Sequence, residues 1–501
     1  MIDTPKHILI LGGGNAGWMI ANLMAHQWSK QGIKISLIES EVIGTVGVGE
    51  GSTPFIQDFF ARLGISEAKW MKAANATYKC GISFPDWSTK KGFENYVHPF
   101  YSQIDSPHVP LFFDNADFRR AGININAHPD DYFVTSELIA QSRSPISNTG
   151  SNNKLDYGYH FDAELLGHFL KGEGIARGVK HITDKVTKIE KSPEGDILAV
   201  DTLNSGRISA DFFVDCSGFK GLLIQETLGE SLISSDKYLY NDSAVAIQTP
   251  TNLSKKLPSD TVSQAIKHGW VWKIPLGNRF GNGYVYSSKY LSSENAEEEL
   301  REHLGVPSRN AKALHLKWKP GRISQHWKRN CLAVGLSQGF LEPLEAPMLN
   351  IIQSTCEGFV SCFEKGGFTN KYQKVFNSEI NSLIDGTRDY LQAHYKLNSR
   401  SDSAYWRDSR NNTEMSKSLK GILEGWEQTG CFNQVLRTHL KSNAYLKTSW
   451  YCLLAGMGHF PVPEKEGSIA SVDKHKQSKE AVSSQAKSFV DHAKQIEKIY
   501  M

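Results

Sequence analysis

Gly12, Gly14 and Gly17 form a G-x-G-x-x-G turn, a spacing suited to binding a dinucleotide pyrophosphate. The glycines permit a tight turn and let phosphate oxygens approach the N–H groups that open the following helix. Asn15 and Ala16 fill the last two variable positions of the turn. Glu39, somewhat beyond the usual spacing of about 20 residues, is placed to accept a ribose hydroxyl. No second such turn is present, which points to one tightly held dinucleotide and an outside source of electrons. The turn alone does not distinguish FAD from NAD. Two other stretches carry chemistry-bearing residues. Gly47-Val48-Gly49-Glu50-Gly51-Ser52-Thr53-Pro54 reads as a cofactor-wrapping loop or as a plain surface turn. Trp270-Val271-Trp272-Lys273-Ile274-Pro275 sets two indoles on one face of a strand, where core packing explains them equally well.

These groups need a scaffold. His7–Leu11 is an apolar strand, residues 18 to 27 are helical in composition, and residues 33 to 39 form a second strand, which together make a β-α-β unit. Phe212–Gly218 and Cys331–Gly335 read as two more buried strands ending in small-residue turns, the second followed by a helix over Met348 to about Lys365. One sheet with a ligand across its carboxyl edge accommodates all of them. The expected fold is α/β: a discontinuous Rossmann-like FAD module (1–70, 150–230, 316–368) with a mainly helical substrate module (71–149, 231–315, 369–462). Residues 463–501 are polar and read as a surface helix or tail with little part in chemistry.

With the W-x-W-x-I-P segment beside G-x-G-x-x-G, the chain resembles the flavin-dependent tryptophan halogenases. Tyr78-Lys79-Cys80-Gly81-Ile82, Val97-His98-Pro99-Phe100, Asp215-Cys216-Ser217-Gly218-Phe219, Gly339-Phe340-Leu341-Glu342-Pro343-Leu344-Glu345 and Trp450–Gly456 keep the family's order. The resemblance implies FAD used as FADH2, supplied by a separate NAD(P)H-dependent flavin reductase. Reduced flavin and oxygen then give a hydroperoxide that converts halide to hypohalous acid. It makes Lys79 and Glu345 the catalytic pair acting on an indole or other electron-rich aromatic, and it places His98, Pro99, Phe100 and Trp450 around the substrate ring. It further assigns Gly12, Gly14, Asn15, Ala16, Gly17, Glu39, Gly49, Trp272, Ile274 and Gly335 to the cofactor, and Pro347, Met348 and Leu349 to the halide.

The residues themselves speak to Lys79. Tyr78, Cys80, Ile82 and Phe84 alternate with Thr77, Lys79, Gly81 and Ser83, a strand with one apolar face and one small-residue face on which Lys79 alone is large. Local sequence by itself favours a lysine on a solvated face. Near its usual pKa of roughly 10.4 the amine is a cation that hydrogen-bonds hypohalous acid, whereas burial would let it form a haloamine. Glu345 suits a base that accepts the ring proton, or simply a carboxylate at a helix start.

The chain departs from the family just after that glutamate, where Ala346-Pro347 replaces a small polar pair. Proline offers no N–H, so the expected halide site is poorer in donors and favours bromide or iodide over the more strongly hydrated chloride. No clamp for a free amino acid is recognisable between Tyr445 and Trp450, which keeps indole and larger indole-bearing molecules open. A flavin monooxygenase that hydroxylates the aromatic is the competing expectation.

Composition excludes other classes. The 56 basic and 53 acidic residues are dispersed, without the basic patch a nucleic-acid partner needs. No 18-residue apolar run suggests a membrane span, and the N-terminus lacks secretory-signal character. The seven cysteines are scattered without a C-x-x-C pair, so neither a metal site nor a disulfide framework is expected, and a cytoplasmic location is. A homodimer remains open.

Overall fold

The structure is a computed structural model that describes residues 4–40, 50–148, 155–251, 256–440 and 444–501. Gly49, expected at the cofactor, lies outside the described residues, as do Gly47 and Val48.

His7–Leu11 is apolar along nearly its whole length because neighbours cover both of its faces. It pairs in parallel with Lys34–Glu39 on one side and with Phe212–Asp215 on the other. The complete sheet runs Lys180–Thr183, Lys34–Glu39, His7–Leu11, Phe212–Asp215, Cys331–Ala333, Trp327–Lys328, with only the last strand antiparallel. Leu11, Asp215 and Ala333 stand in register. The three small-residue turns anticipated from sequence therefore leave one carboxyl edge side by side, where α/β sheets bind their ligands. The helices Asn15–Trp28 and Met348–Lys365 pack against one another beside this sheet.

A second sheet of seven strands runs Ala313–Lys317, Ser243–Pro250, Arg279–Tyr286, Gly269–Pro275, Asp260–Ile266, Gly81–Ser83, Val97–Pro99. The W-x-W strand is central in it. Trp270 and Trp272 share one face as period two requires, buried, with ring centroids 6.2 Å apart. Helices between Gln373 and Gly456 join this sheet through contacts such as Trp406 Nε1, which donates to the Ile266 carbonyl. The helical module thus carries a sheet of its own.

The alternation around Lys79 is real, but the run divides at Cys80. Thr77–Lys79 pairs with Gly158–Phe161, whereas Gly81–Ser83 joins the seven-stranded sheet. At Gly81 a Cβ would stand 2.7 Å from the His98 carbonyl oxygen, so glycine admits the strand to its neighbour. Both faces of the run are buried, and Lys79 is 0% exposed rather than solvated.

The polar C-terminus also turns inward. After the helix Ile469–Ala486, the helix His492–Tyr500 buries His492, Ala493 and Ile496 on one face. His492 Nε2 accepts the Tyr78 N–H at 3.1 Å, and its Nδ1–H donates to the Pro258 carbonyl at 2.9 Å. Burial lowers this imidazole to about 4, which keeps Nε2 an acceptor at neutral pH. His492→Ala leaves the Tyr78 N–H buried without a partner, and the expected loss is about 1–3 kcal/mol in urea unfolding. Among the described residues, no helix is long and apolar enough to cross a membrane.

Candidate active site

At the sheet's carboxyl edge the first turn is shaped by contacts that only glycine allows. Gly12 has φ +113°, and a Cβ there would lie 2.1 Å from the Cys216 carbonyl oxygen; one at Gly17 would lie 1.9 Å from the Gly12 oxygen. Gly13 meets the carboxylate of Glu39, which Lys171 and His181 each contact at 2.7 Å. Gly14 differs, because a Cβ there would meet nothing within 4 Å. No side chain caps the helix that begins at Asn15, and Asn15 Oδ1 is buried without a partner. Gly335 (φ +77°) adjoins Ala16. An open space before an uncapped helix start, with an orphaned polar atom beside it, fits a dinucleotide pyrophosphate. Gly12, Gly14, Asn15 and Ala16 would hold it, with Glu39 beside the turn. Two variants separate packing from binding. Gly12→Ala is expected to unfold at lower temperature. Gly14→Ala, with φ −72° and free space, is expected to keep the wild-type melting temperature yet weaken FAD binding at least tenfold in a fluorescence titration.

Trp272 packs over Gly283, where a Cβ would approach its ring to 2.0 Å, and its Nε1 has no partner. Ile274 is buried two positions further along the same strand.

Lys79 and Glu345, distant in sequence, converge in the interior. Lys79 Nζ has no hydrogen-bond partner and lies 5.6 Å from the centre of the Phe100 ring. Gly51 leaves room for it, since a Cβ there would stand 3.1 Å from Nζ. Burial pulls the ammonium down to about 8, against the opposing pull of the Glu345 charge. His160 is buried nearby, hydrogen-bonded through Nε2 to Thr261 Oγ1 at 2.9 Å, and burial together with the Lys79 charge keeps it neutral.

Glu345 (φ +67°) and Ala346 (φ +51°) both adopt left-handed backbone, a cost that tertiary contacts must offset and that clusters at functional sites. His98 Nδ1–H donates to both Glu345 oxygens at 2.9 and 2.8 Å, while His98 Nε2 bonds to Ser449 Oγ at 3.0 Å. His394 Nε2 lies 3.2 Å from Glu345 Oε1, without the alignment of a full hydrogen bond. Burial pushes the carboxyl up, but His98 and His394 outweigh it and hold the group down at about 2. Glu345 is an anion at every neutral pH.

The Ala346 N–H is taken by the Pro343 carbonyl at 2.9 Å. Pro347 precedes the helix Met348–Lys365 rather than opening it, and no side chain caps that helix. The N–H groups of Met348 and Leu349 belong to its first turn and have no intrahelical acceptor. Pro347 and Met348 line a small cleft with Phe340, Leu341, Glu342 and Ile351.

The expected ring-binding residues are placed unequally. Phe100 is half-buried beside Lys79, and Pro99 is buried at the end of the strand that carries His98. His98 is engaged by the Glu345 carboxylate. Trp450 is 1% exposed and meets Tyr390 edge-on at 5.1 Å, and Tyr390 in turn stacks on Tyr445 at 3.8 Å. Sequence reasoning missed Tyr390, His394, Ser449 and His160. Tyr390 and His394, four residues apart on the helix Gln373–Leu397, share a face, which was the one available signal.

The chain is similar to known proteins over most of its length. A family model described as tryptophan halogenase matches residues 7–472. The tryptophan 6-halogenase SttH of Streptomyces toxytricini is 36% identical over 448 residues, covering 85% of this chain and 84% of that protein. The tryptophan 7-halogenase RebH of Lentzea aerocolonigenes is 32% identical over 481 residues, 91% of this chain and 90% of that one. The solved structure of BrvH, a flavin-dependent halogenase from Brevundimonas sp. BAL3, superposes with a TM-score of 0.86 at 29% identity, covering 99% of each chain.

Proposed function

We propose that this chain, which belongs to the tryptophan halogenase family, installs bromide in preference to chloride on an indole-bearing aromatic through hypohalous acid held at Lys79. The observation that carries the reading is a fully buried ammonium without a partner, set near a carboxylate held by two imidazoles. An unpaired buried charge is costly to keep, and a polar ligand bound at Nζ gives it a purpose.

Gly12, Gly14, Asn15, Ala16 and Glu39 would hold FAD, which, once reduced by a separate flavin reductase, would supply the two electrons needed to convert oxygen and halide to hypohalous acid. Lys79, with its pKa at about 8, is mostly protonated at pH 7, so its N–H groups donate to hypohalous acid and orient the halogen toward the substrate. Phe100 offers that substrate a flat face beside Nζ. Glu345, already ionised, stabilises the cationic ring that forms on halogen transfer and removes its proton. His98 and His394 fix the carboxylate in place for this.

The halide preference follows from the donors. With the Ala346 N–H engaged and Pro347 carrying none, the Met348, Leu349 and Asn350 amides remain at the helix start. Few donors replace chloride's hydration poorly and bromide's less poorly. In competition at equal halide concentration, brominated product is expected to exceed chlorinated product at least tenfold, and a chlorinated majority refutes the preference.

Mass spectrometry of indole and tryptophan, incubated with the protein, FAD, a flavin reductase, NADH and bromide, tests the whole reading. A halide-dependent mass gain that disappears in Lys79→Ala is expected. Addition of oxygen without halogen would instead identify an aromatic hydroxylase.

A further inference from the structure

The Lys79–Glu345 pair leaves unexplained a second buried carboxylate, three residues before Glu345. Glu342 is 0% exposed, yet it lines the cleft shared with Pro347 and Met348. Its Oε1 accepts the Tyr395 hydroxyl at 2.5 Å, and its Oε2 accepts Asn241 Nδ2 at 3.1 Å. No cation pairs with it among the described residues. The Tyr395 hydroxyl also accepts Trp270 Nε1–H at 3.0 Å and Asn241 Nδ2–H at 2.8 Å, and Tyr405 OH donates to Asn241 Oδ1 at 3.0 Å.

Tyr395 in turn lines a different cleft, bounded by Tyr238, Tyr240, Tyr405, Ser409 and Asn412. The two clefts therefore meet at a single hydrogen bond, with Tyr395 on one side and Glu342 on the other. Burial raises the Glu342 carboxyl to about 7, moderated by Tyr395 and Asn241. It can thus carry a proton at neutral pH and also release it. A carboxylate meant only for structure gains nothing from lining one cleft while bonded to a hydroxyl that lines another.

Halogenation needs such a path, and this inference rests on the proposed function in that respect. Aromatic C–H, halide, oxygen and reduced flavin give the carbon–halogen bond and two waters only if a proton is also taken from solvent. Lys79, buried and unpartnered, offers no visible route for it.

We infer that Tyr395 and Glu342 form the proton inlet of the active site, passing protons from water in the tyrosine-lined cleft to the cleft at Pro347 and Met348. Glu342 gives its carboxyl proton to the inner cleft. In the same step the Tyr395 proton moves to Glu342 Oε1 and a water of the outer cleft, taking the place of one of the two N–H donors on the Tyr395 oxygen, restores the phenol proton, so that no tyrosinate accumulates and each cycle moves one proton inward and no electrons.

Infrared spectroscopy on the full-length protein reads the relay without requiring turnover. A carbonyl stretch of a protonated buried carboxyl is expected near neutral pH, lost in Glu342→Gln. On transfer to D2O its shift is expected to slow at least tenfold in Tyr395→Phe. Ser409→Leu, which fills the outer cleft and leaves Tyr395 in place, is expected to slow it as well, so the test survives if Tyr395→Phe folds poorly. Tyr405→Phe, off the path, is expected to exchange at the wild-type rate. Absence of the band, or wild-type exchange in both Tyr395→Phe and Ser409→Leu, overturns the inlet whether or not the protein halogenates. In turnover with bromide, Tyr395→Phe is further expected to lower kcat with KM unchanged and to enlarge the solvent deuterium isotope effect; an unchanged isotope effect counts against it.

Discussion

Lys79→Met is expected to abolish halogenation while making the protein more stable. The activity loss should reach about 10²- to 10⁴-fold, the usual range for a group acting directly on the reacting atoms. It is measured as halogenated product per unit time at saturating bromide. The stability gain follows from the linkage. Burial lowers the Lys79 ammonium from 10.5 in the unfolded chain to about 8 when folded. A lysine depressed on folding destabilises the native state fully below the folded pKa, and the penalty is relieved as pH rises from about 8 toward 10.5. The shift corresponds to about 3 kcal/mol at pH 7, offset in part by the packing that a shorter side chain gives up. Lys79→Met should therefore melt above wild type at pH 7, and the gap should narrow by pH 10. The charged and titratable groups facing Lys79 are Glu345 and His160, and neither changes charge in that window. A variant that loses activity and stability together would make Lys79 a structural residue.

The second large effect is expected at Glu345→Gln, which keeps the shape of the side chain and removes its charge. We expect kcat to fall about 10²- to 10⁴-fold with little change in KM, because in the proposed function the carboxylate acts on the ring cation rather than on bound substrate. Two readouts separate this from simple damage. Without the carboxylate, Lys79 loses the one charge that raises its pKa, so its amine should fall below about 8 and react faster with a small acylating reagent at pH 7. The pH dependence of stability should change as well. The Glu345 carboxyl is held at about 2 against its ordinary 4.5. The stability it contributes is complete above about 4.5 and is lost as pH falls toward 2, where His98, His394 and Lys79 face it. Wild type and Glu345→Gln should differ at pH 5 and converge as pH falls toward 2. Parallel curves down to pH 2.5 would show that the imidazoles do not hold the anion.

Much of this molecule is legible in one dimension. G-x-G-x-x-G between an apolar strand and a helix implies its own geometry, because steric exclusion at Gly12 and Gly17 is local. The alternation in Gly269–Pro275 likewise places both tryptophans on one face, since period two is a property of any strand. What tertiary structure decided is everything that depends on which elements meet. Lys79 sits on an alternating run that, taken alone, reads as half-solvated. It is buried because that run divides between two sheets at Cys80 and because a C-terminal helix, polar in composition, inserts His492 behind it. Glu345 is ionised because His98 arrives from a strand far earlier in the chain and His394 from a helix after it. No pattern near residue 345 encodes either. Periodicity and glycine spacing are written into neighbouring residues, whereas burial and charge are set by partners far away along the chain. The sequence by itself determined the cofactor turn, the strand faces and the family's order of motifs; only the packing of the two sheets determined which lysine is buried, which carboxylate is charged, and that Glu342 lies between two clefts.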